Sequence, residues 1–319
     1  MSINEKIKSA FFTNSLKDIT ISNITCTFKF ISNSYFLPKI SRFINDYFYK
    51  LPLWGIGSAV NRYSNSFCIY SASEDKKLYQ DYLRDALFLN IGSGGFYHKK
   101  WLNFDLPGVS KYYKNLQGKK NKNFKPFDLS NEKDQLNIQN DSVDLIYISH
   151  VLDHLETEDI LSRFIEFRKI LKPGGLIRIV LPDTDKNISI SEFLNNQPNL
   201  NSKYKKISAS ESIRNSITDS INFDDEELYK LACNKEFIME EIEKSLILKN
   251  SSVNKIDVEN PQRRITYLNH EKLKKLAIKA GFSAYYPTIR GQSFAKPFLN
   301  LNIFDVTEPH LSMYSELIK

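Results

Sequence analysis

The chain has 319 residues, with 44 Lys and Arg against 37 Asp and Glu, a net charge of +7 and an isoelectric point near 9.0. That length is long for one core and short for two equal ones, so one domain with appended pieces is expected. Hydrophobic residues make up 41%, enough for a sizeable core, and no apolar run is long enough to predict a membrane-spanning helix.

The opening Met1-Ser2-Ile3-Asn4-Glu5-Lys6-Ile7-Lys8 has neither a secretory apolar region nor a small-residue cleavage site. Cys26, Cys68 and Cys233 are far apart and lack metal spacing, which reads as buried small hydrophobes in a reducing compartment. A cytoplasmic location is expected. The charge permits anionic partners without demanding them. Its densest basic stretch, Lys111, Lys114, Lys119, Lys120, Lys122 and Lys125, reads first as a solvated face.

Residues 1–70 form an extension or cap. Ile3, Ile7 and Phe11 recur at helical spacing and predict a short amphipathic helix. The apolar groups Tyr35–Leu37, Phe43–Ile44 and Tyr47–Tyr49 follow, interrupted by Pro38 and Pro52. Residues 71–185 form the core. Ser71 to Glu74 has the spacing of a capping box, with Leu78, Tyr82 and Leu83 on one face of the helix behind it. That helix leads into a strand over Leu87–Ile91. Thr157 is the expected cap of a helix whose stripe is Ile160, Leu161, Phe164, Ile165, Phe167 and Leu171. Lys172-Pro173-Gly174-Gly175 stops it. Strands over Val143–Ile148 and Leu176–Leu181 then complete a βαβ crossover. Residues 186–262 are a polar insertion with helical patches such as Asp224 to Ile247, suited to a lid. Residues 263–319 return to the core. There Asn269 caps a helix over Leu273 to Ala280, Gly281 closes it, and strands are expected at Ala284–Thr288 and Ser312–Ile318. The direction of the last strand stays open.

Five short segments carry the chemistry. They are Leu89–Gly95, Trp101–Asp105, Phe127–Leu129, Val143–Leu155 and Ile170–Asp183. All but Phe127–Leu129 have a strand beside them, and each ends in Gly, Asp or His where a strand would stop. This is the layout of a nucleotide-type site along the carboxyl edge of a parallel sheet. Gly92-Ser93-Gly94 requires a close backbone approach or a positive φ. A dinucleotide fingerprint fails, because Tyr97 stands where a third Gly is needed. Asp105 also lies only 13 positions past Gly92, where that pattern expects about 20. The helix between those strands must be very short or absent.

In combination these motifs resemble the class I S-adenosylmethionine-dependent methyltransferases. The resemblance is to a small bacterial group with a truncated first helix, a Trp-x-Asn-x-Asp second strand and a Ser-His-Val-Leu-x-His block. Its genes often accompany surface-polysaccharide synthesis. It covers residues 87–184, with a weaker echo from Tyr267 onward. The implied fold is a Rossmann-like α/β sheet, mostly parallel, with an antiparallel last strand.

The resemblance implies roles for individual residues. Asn90, Gly92, Ser93 and Gly94 would lie beneath the methionine part of S-adenosylmethionine. Asp105, followed by Leu106, would accept hydrogen bonds from the ribose hydroxyls. Asp128 would meet the adenine amino group while Leu129 covers the ring. Ser149 and His150 would face the sulfonium. For either acid the plainer reading is a helix cap or a turn residue. Many relatives of the wider superfamily carry an acid at or near the place of Asn90, contacting the cofactor's amino group; Asn90 is neutral, so that contact would be weaker or come from elsewhere.

An acceptor hydroxyl needs its proton removed, and His150 is the first candidate for base or orienter. His154 reads more readily as a turn residue. Asp153 is a weaker candidate, and Asp183, after Pro182, could position a substrate hydroxyl. The spacing of His150 and His154 matches two metal ligands, but no third stands at a telling distance and no metal is expected. The leading acceptor is a sugar or glycan hydroxyl. A non-catalytic relative acting as a scaffold is the alternative reading. A nucleic-acid methyltransferase ranks lower, since Ser149-His150-Val151-Leu152 replaces the Asn/Asp-Pro-Pro-aromatic motif. Membrane-surface association and oligomerisation stay open.

Overall fold

A computed structural model describes residues 26–29, 37–49, 55–61, 66–94, 96, 98–106, 124–183, 266, 268–307, 309 and 312–319. The helix expected over Ile3–Phe11, the lysines from Lys111 to Lys122, the insertion 186–262 and Cys233 lie outside these residues. The chain divides into two compact units. One takes in the described residues up to Phe127, Ser142–Tyr147 and Arg290–Thr307. The other takes in Asp128–Asp141, Ile148–Ile289 and Glu308–Lys319.

In the first unit a small antiparallel sheet comes first. Strand β1 (Cys26–Lys29), helix α1 (Leu37–Tyr47), β2 (Ile56–Asn61) and β3 (Ser66–Ser71) follow one another, and the strands pair in the order β1-β3-β2. Pro38 opens α1 instead of interrupting it. In a first helical turn its missing N–H has no intrahelical acceptor to lose. The helix buries polar residues: Ser41 and Asn45 are fully buried and bond Ser58 of β2 through its hydroxyl, N–H and carbonyl. Phe43 and Tyr47 face outward instead, 55% and 67% exposed.

Helix α2 (Ala72–Leu78) begins after Ser71, but the capping box does not form. Ser71 Oγ bonds Ser73 Oγ at 2.8 Å and caps no backbone N–H. The helix also stops at Leu78, so Tyr82 and Leu83 lie beyond it, and Leu83 is exposed. Buried Tyr79 takes the anchoring place. Strand β4 (Leu87–Ile91) follows as expected, then β5 (Trp101–Asp105) and β6 (Phe124–Pro126). Strand β6 corrects the expectation that Phe127–Leu129 has no strand beside it; three residues are too few to show periodicity. Strands β4 and β5 pair in parallel, as do β5 and β6. Val143–Tyr147, the first part of β7 (Val143–Ser149), completes this half. Trp101, Tyr147, Phe298 and Phe304 form its aromatic core, with ring centroids 5.0 to 5.7 Å apart.

The second unit holds the end of β7, a 3-10 turn at Leu152–His154, α3 (Thr157–Ile170) and β8 (Leu171–Pro182). Glu156, not Thr157, occupies the cap position, and no side chain caps there. Helix α3 buries Ile160, Phe164, Phe167 and Ile170, while Ile165 is 39% exposed and Leu161 is half-buried. The last two stand off the i, i+4, i+7 line that faces the sheet. Helix α3 ends at Ile170, and Lys172–Gly175 already belong to β8. Pro173 cannot extend a helix, so the chain passes straight into a strand.

Helix α4 (His270–Lys279) is capped by Asn269, whose Oδ1 accepts from the Lys272 N–H at 2.9 Å. Gly281 then takes a left-handed φ of +87°, a conformation glycine adopts without strain. Strands β9 (Ala284–Thr288) and β10 (Ser312–Ile318) have the expected bounds. Strand β10 lies between β8 and β9, antiparallel to both. At its centre Arg178 and Glu316 form a fully buried ion pair at 3.3 Å, and Arg178 also donates to Thr288 Oγ1 at 2.6 Å and Ile289 O at 3.2 Å.

Candidate functional site

The register of β4 on β5 sets Asn90 beside Asn103 and Ile91 beside Phe104. The loop leaving β4 therefore turns over the end of β5. Gly92 and Ser93 donate their N–H groups to Phe104 O at 2.8 and 3.1 Å. Gly92 and Gly94 have φ of +66° and +53°, where a β-carbon would be strained. Among the described residues no helix intervenes before β5, which agrees with the truncated first helix.

Asp105 closes this corner. Its Oδ2 accepts from the Gly94 N–H at 2.5 Å and its Oδ1 from the Leu106 N–H at 2.7 Å. The structure thus joins Gly92, Ser93, Gly94, Asp105 and Leu106 through backbone and carboxylate. Asn90, buried beneath them, donates from Nδ2 to Asn103 Oδ1 at 3.2 Å. Ser93 is 5% exposed, yet its Oγ has no hydrogen-bond partner among the described residues. Unsatisfied buried hydroxyls are costly in a native fold. A left-handed glycine turn with an orphan hydroxyl and an adjacent carboxylate fits the polar methionine and ribose parts of S-adenosylmethionine.

The loop reaches β5 through His98, which sequence reading missed. His98 is fully buried, stacked between the rings of Tyr70 and Tyr79 at 5.9 and 5.8 Å, and its Nε2 lies 3.2 Å from Asp75 Oδ1. The Tyr49 hydroxyl donates to Asp75 Oδ2 at 2.7 Å. Burial opposes ionisation of Asp75. The charge and hydrogen bond of His98, with help from Tyr49 and Lys100, outweigh it and hold the carboxyl below its usual range. Burial, with the Asp75 charge beside it, pushes the Tyr49 hydroxyl far up.

In the second unit Asp128 and Leu129 open a tight loop. Asp128 Oδ1 accepts from the Ser130 N–H and hydroxyl at 3.0 and 2.7 Å, the turn role that the plainer reading anticipated. Leu129 is buried at 8%. Arg163, inside the apolar stripe of α3 and overlooked there, reaches this loop from behind. It donates from Nε to Leu129 O, and from Nη2 to Asp128 O and Asn131 O. Its Nη1 donates to Asp134 O and Glu166 Oε2.

At the tip of β7 the backbone turns sharply. His150 has φ +53°, uncommon for a residue with a β-carbon. Its N–H donates to Val180 O at 2.8 Å, and its Nε2 lies 2.9 Å from Ser312 Oγ. Both residues are 4% exposed. Ser312 was missed because the partners are 162 positions apart and no local pattern links them. Ser149 Oγ is buried with no hydrogen-bond partner among the described residues. His154 ends the following turn half-buried, its N–H donating to Val151 O at 3.1 Å. Asp183 follows β8, half-buried.

No group of three or more His, Cys, Asp or Glu among the described residues is placed to hold a metal ion. No helix among them is long and apolar enough to cross a membrane.

Residues 89–179 match the family model described as a methyltransferase domain. No curated protein matches the chain in sequence. Among solved structures, the chain is similar to an S-adenosylmethionine-dependent methyltransferase from Mesorhizobium loti, at 14% identity and a TM-score of 0.36. That match covers 76% of this chain and 96% of the other. A similar match joins it to an S-adenosylmethionine-dependent methyltransferase from Archaeoglobus fulgidus, at 13% identity and a TM-score of 0.36, covering 77% and 93%. Over residues 89–179 the chain is thus similar to methyltransferase domains, and its sheet combines parallel pairing of β4, β5 and β6 with antiparallel pairing of β10 to β8 and β9.

Proposed function

We propose that this protein transfers a methyl group from S-adenosylmethionine to a hydroxyl of a sugar or glycan, with His150 as base or acceptor orienter. The observation that carries the reading is His150 itself. It stands at a strand tip in a left-handed conformation, with Nε2 against Ser312 Oγ. Such strain costs about 1–3 kcal/mol and collects at functional positions.

The positive sulfur of the cofactor activates the methyl carbon; the protein's task is alignment and water exclusion. Gly92, Ser93 and Gly94 would bind the methionine part, with the orphan Ser93 Oγ as a partner, and Asn90 would support the turn from below. Asp105 and Leu106 would hold the ribose. Asp128 would offer Oδ2 to the adenine amino group, since Oδ1 is engaged by Ser130, while Leu129 covers the ring. Ser149, with its orphan hydroxyl, would lie near the reacting carbon. His150 Nε2 and Ser312 Oγ form the pair that would accept the hydroxyl proton as the methyl–oxygen bond forms and the methyl–sulfur bond breaks, with S-adenosylhomocysteine as the leaving group. His154 and Asp183 would line the acceptor side. The acceptor class follows by analogy from the surface-polysaccharide genes that often accompany the bacterial group the motifs resemble. A cytoplasmic location belongs to the same reading.

Calorimetric titration with S-adenosylhomocysteine, with NADH as control, tests the cofactor. Methyl transfer to a panel of saccharides tests the acceptor. Micromolar binding of S-adenosylhomocysteine alone is expected, and His150→Asn, which tolerates the left-handed backbone, should lower turnover far more than cofactor affinity. Absence of binding in a folded sample would overturn the reading.

A further inference from the structure

Arg163 presents an unusual economy of hydrogen bonds. A guanidinium has five N–H donors, and all five are matched here. Nε meets Leu129 O at 2.8 Å; Nη1 meets Asp134 O at 2.8 Å and Glu166 Oε2 at 2.6 Å; Nη2 meets Asp128 O at 3.1 Å and Asn131 O at 2.6 Å. Four of the acceptors are carbonyls of one loop. The fifth, Glu166, also reaches that loop, its Oε1 accepting from the Leu136 N–H at 2.8 Å. The loop closes on itself as well, with the Asp128 N–H donating to Asp134 Oδ2 at 2.9 Å.

The position of Arg163 in α3 makes this informative. It lies on the face that otherwise buries Ile160, Phe164 and Phe167, and is itself only 4% exposed. Burying a charge there carries a desolvation cost, and a well-packed apolar side chain commonly serves stability as well or better. The arginine's distinctive product is a fixed shape for residues 128–136. A lysine, with one nitrogen and three donors, cannot reproduce the fork.

We infer that Arg163 is a positioning residue for base recognition. It sets the backbone of Asp128 and Leu129 so that the Asp128 carboxylate selects the 6-amino group of adenine. This deepens the cofactor reading above and rests on it. Arg163 touches no ligand itself; it acts through the two carbonyls that flank the recognising side chains.

The test compares binding of S-adenosylhomocysteine with binding of its hypoxanthine analogue, in which the 6-amino donor is replaced by an oxo acceptor. Wild type is expected to prefer adenine. In Arg163→Lys that preference should fall about tenfold, the worth of one oriented hydrogen bond to a charged group. Amide hydrogen exchange over residues 128–136 should quicken in the ligand-free variant. Glu166→Gln, which keeps the size of the side chain and weakens the tether, should shift both readouts the same way and guards against an unfolded Arg163 variant. A general loss of stability would weaken both ligands alike and leave the ratio unchanged. Folded variants with undiminished adenine preference would overturn this inference while the cofactor reading stands. Failure of wild type to bind either ligand would overturn that reading and this inference with it.

Discussion

Asp75→Asn is the sharpest probe of how the extension supports the glycine turn. The Asp75 carboxylate uses two oxygens for two partners, Tyr49 OH at 2.7 Å and His98 Nε2 at 3.2 Å. An amide offers one oxygen and one NH₂ in their place, so one buried donor faces another. A hydrogen bond to a charged group contributes about 1.5–3 kcal/mol, and loss of one partner of a buried pair costs more than the bond alone. Some of this is offset because a buried charge is removed. We expect a loss of about 2–4 kcal/mol at pH 7. The pH dependence follows from the depressed carboxyl. Its contribution is present in full above the ordinary value of 3.8 and disappears as pH falls through the lower folded-state value. Urea unfolding followed by tryptophan fluorescence reports on this region, because Trp101 Nε1 donates to Tyr79 OH at 2.7 Å and Tyr79 stacks on His98. The gap between wild type and variant should be widest near neutrality and shrink below pH 3.8. Equal stabilities at pH 7, or a gap that does not change with acid, would refute the reasoning.

Asp105→Ala should reduce S-adenosylhomocysteine binding at least tenfold, since the carboxylate holds the Gly94 N–H and, on the proposed reading, would supply the ribose acceptor. A melting temperature close to wild type with undiminished affinity would remove Asp105 from the site. Glu316→Gln leaves the buried Arg178 charge without its counter-ion and should cost about 3–5 kcal/mol in urea unfolding; a change within 0.5 kcal/mol, the range usual for surface substitutions, would contradict that. Gly281→Ala forces a side chain into φ +87° with its Cβ 3.3 Å from Arg168 Nε, and a loss of about 1–2 kcal/mol should appear as a lowered melting temperature.

What could be read from the sequence was what local pattern encodes. The bounds of β4, β9 and β10 follow from short apolar runs between turn residues, and the Asn269 cap and Gly281 stop follow from backbone chemistry that acts within four residues. The glycine turn and Asp105 were readable for the same reason. Elements set by distant partners were not. The Ser71 hydroxyl had the right spacing for a cap but turned to Ser73. Arg163 hid inside an apolar stripe because its five acceptors, four of them roughly 30 residues earlier in the chain, become visible only when the loop is folded over it. Ser312 and His98 likewise gained meaning from neighbours that no window of sequence contains. Helix α1 misleads outright: its Ser41 and Asn45 face inward because they satisfy Ser58, so hydrogen bonding, not apolarity, sets its orientation.

The placement of β10 has a consequence for synthesis. It is the last strand in the chain, yet it sits between β8 and β9, so neither can complete its pairing until Ser312–Ile318 has been made. About 130 residues separate Pro182 from Ser312, and at about 5–20 residues per second the ribosome needs roughly 7–26 s to cover them. During that interval one edge of β8 is bare, an aggregation hazard that holding chaperones or slow translation would have to manage. Ser312 is also the first residue of that strand, so the His150–Ser312 contact is among the last to form. A nascent chain would therefore carry a finished glycine turn for many seconds before His150 could meet Ser312.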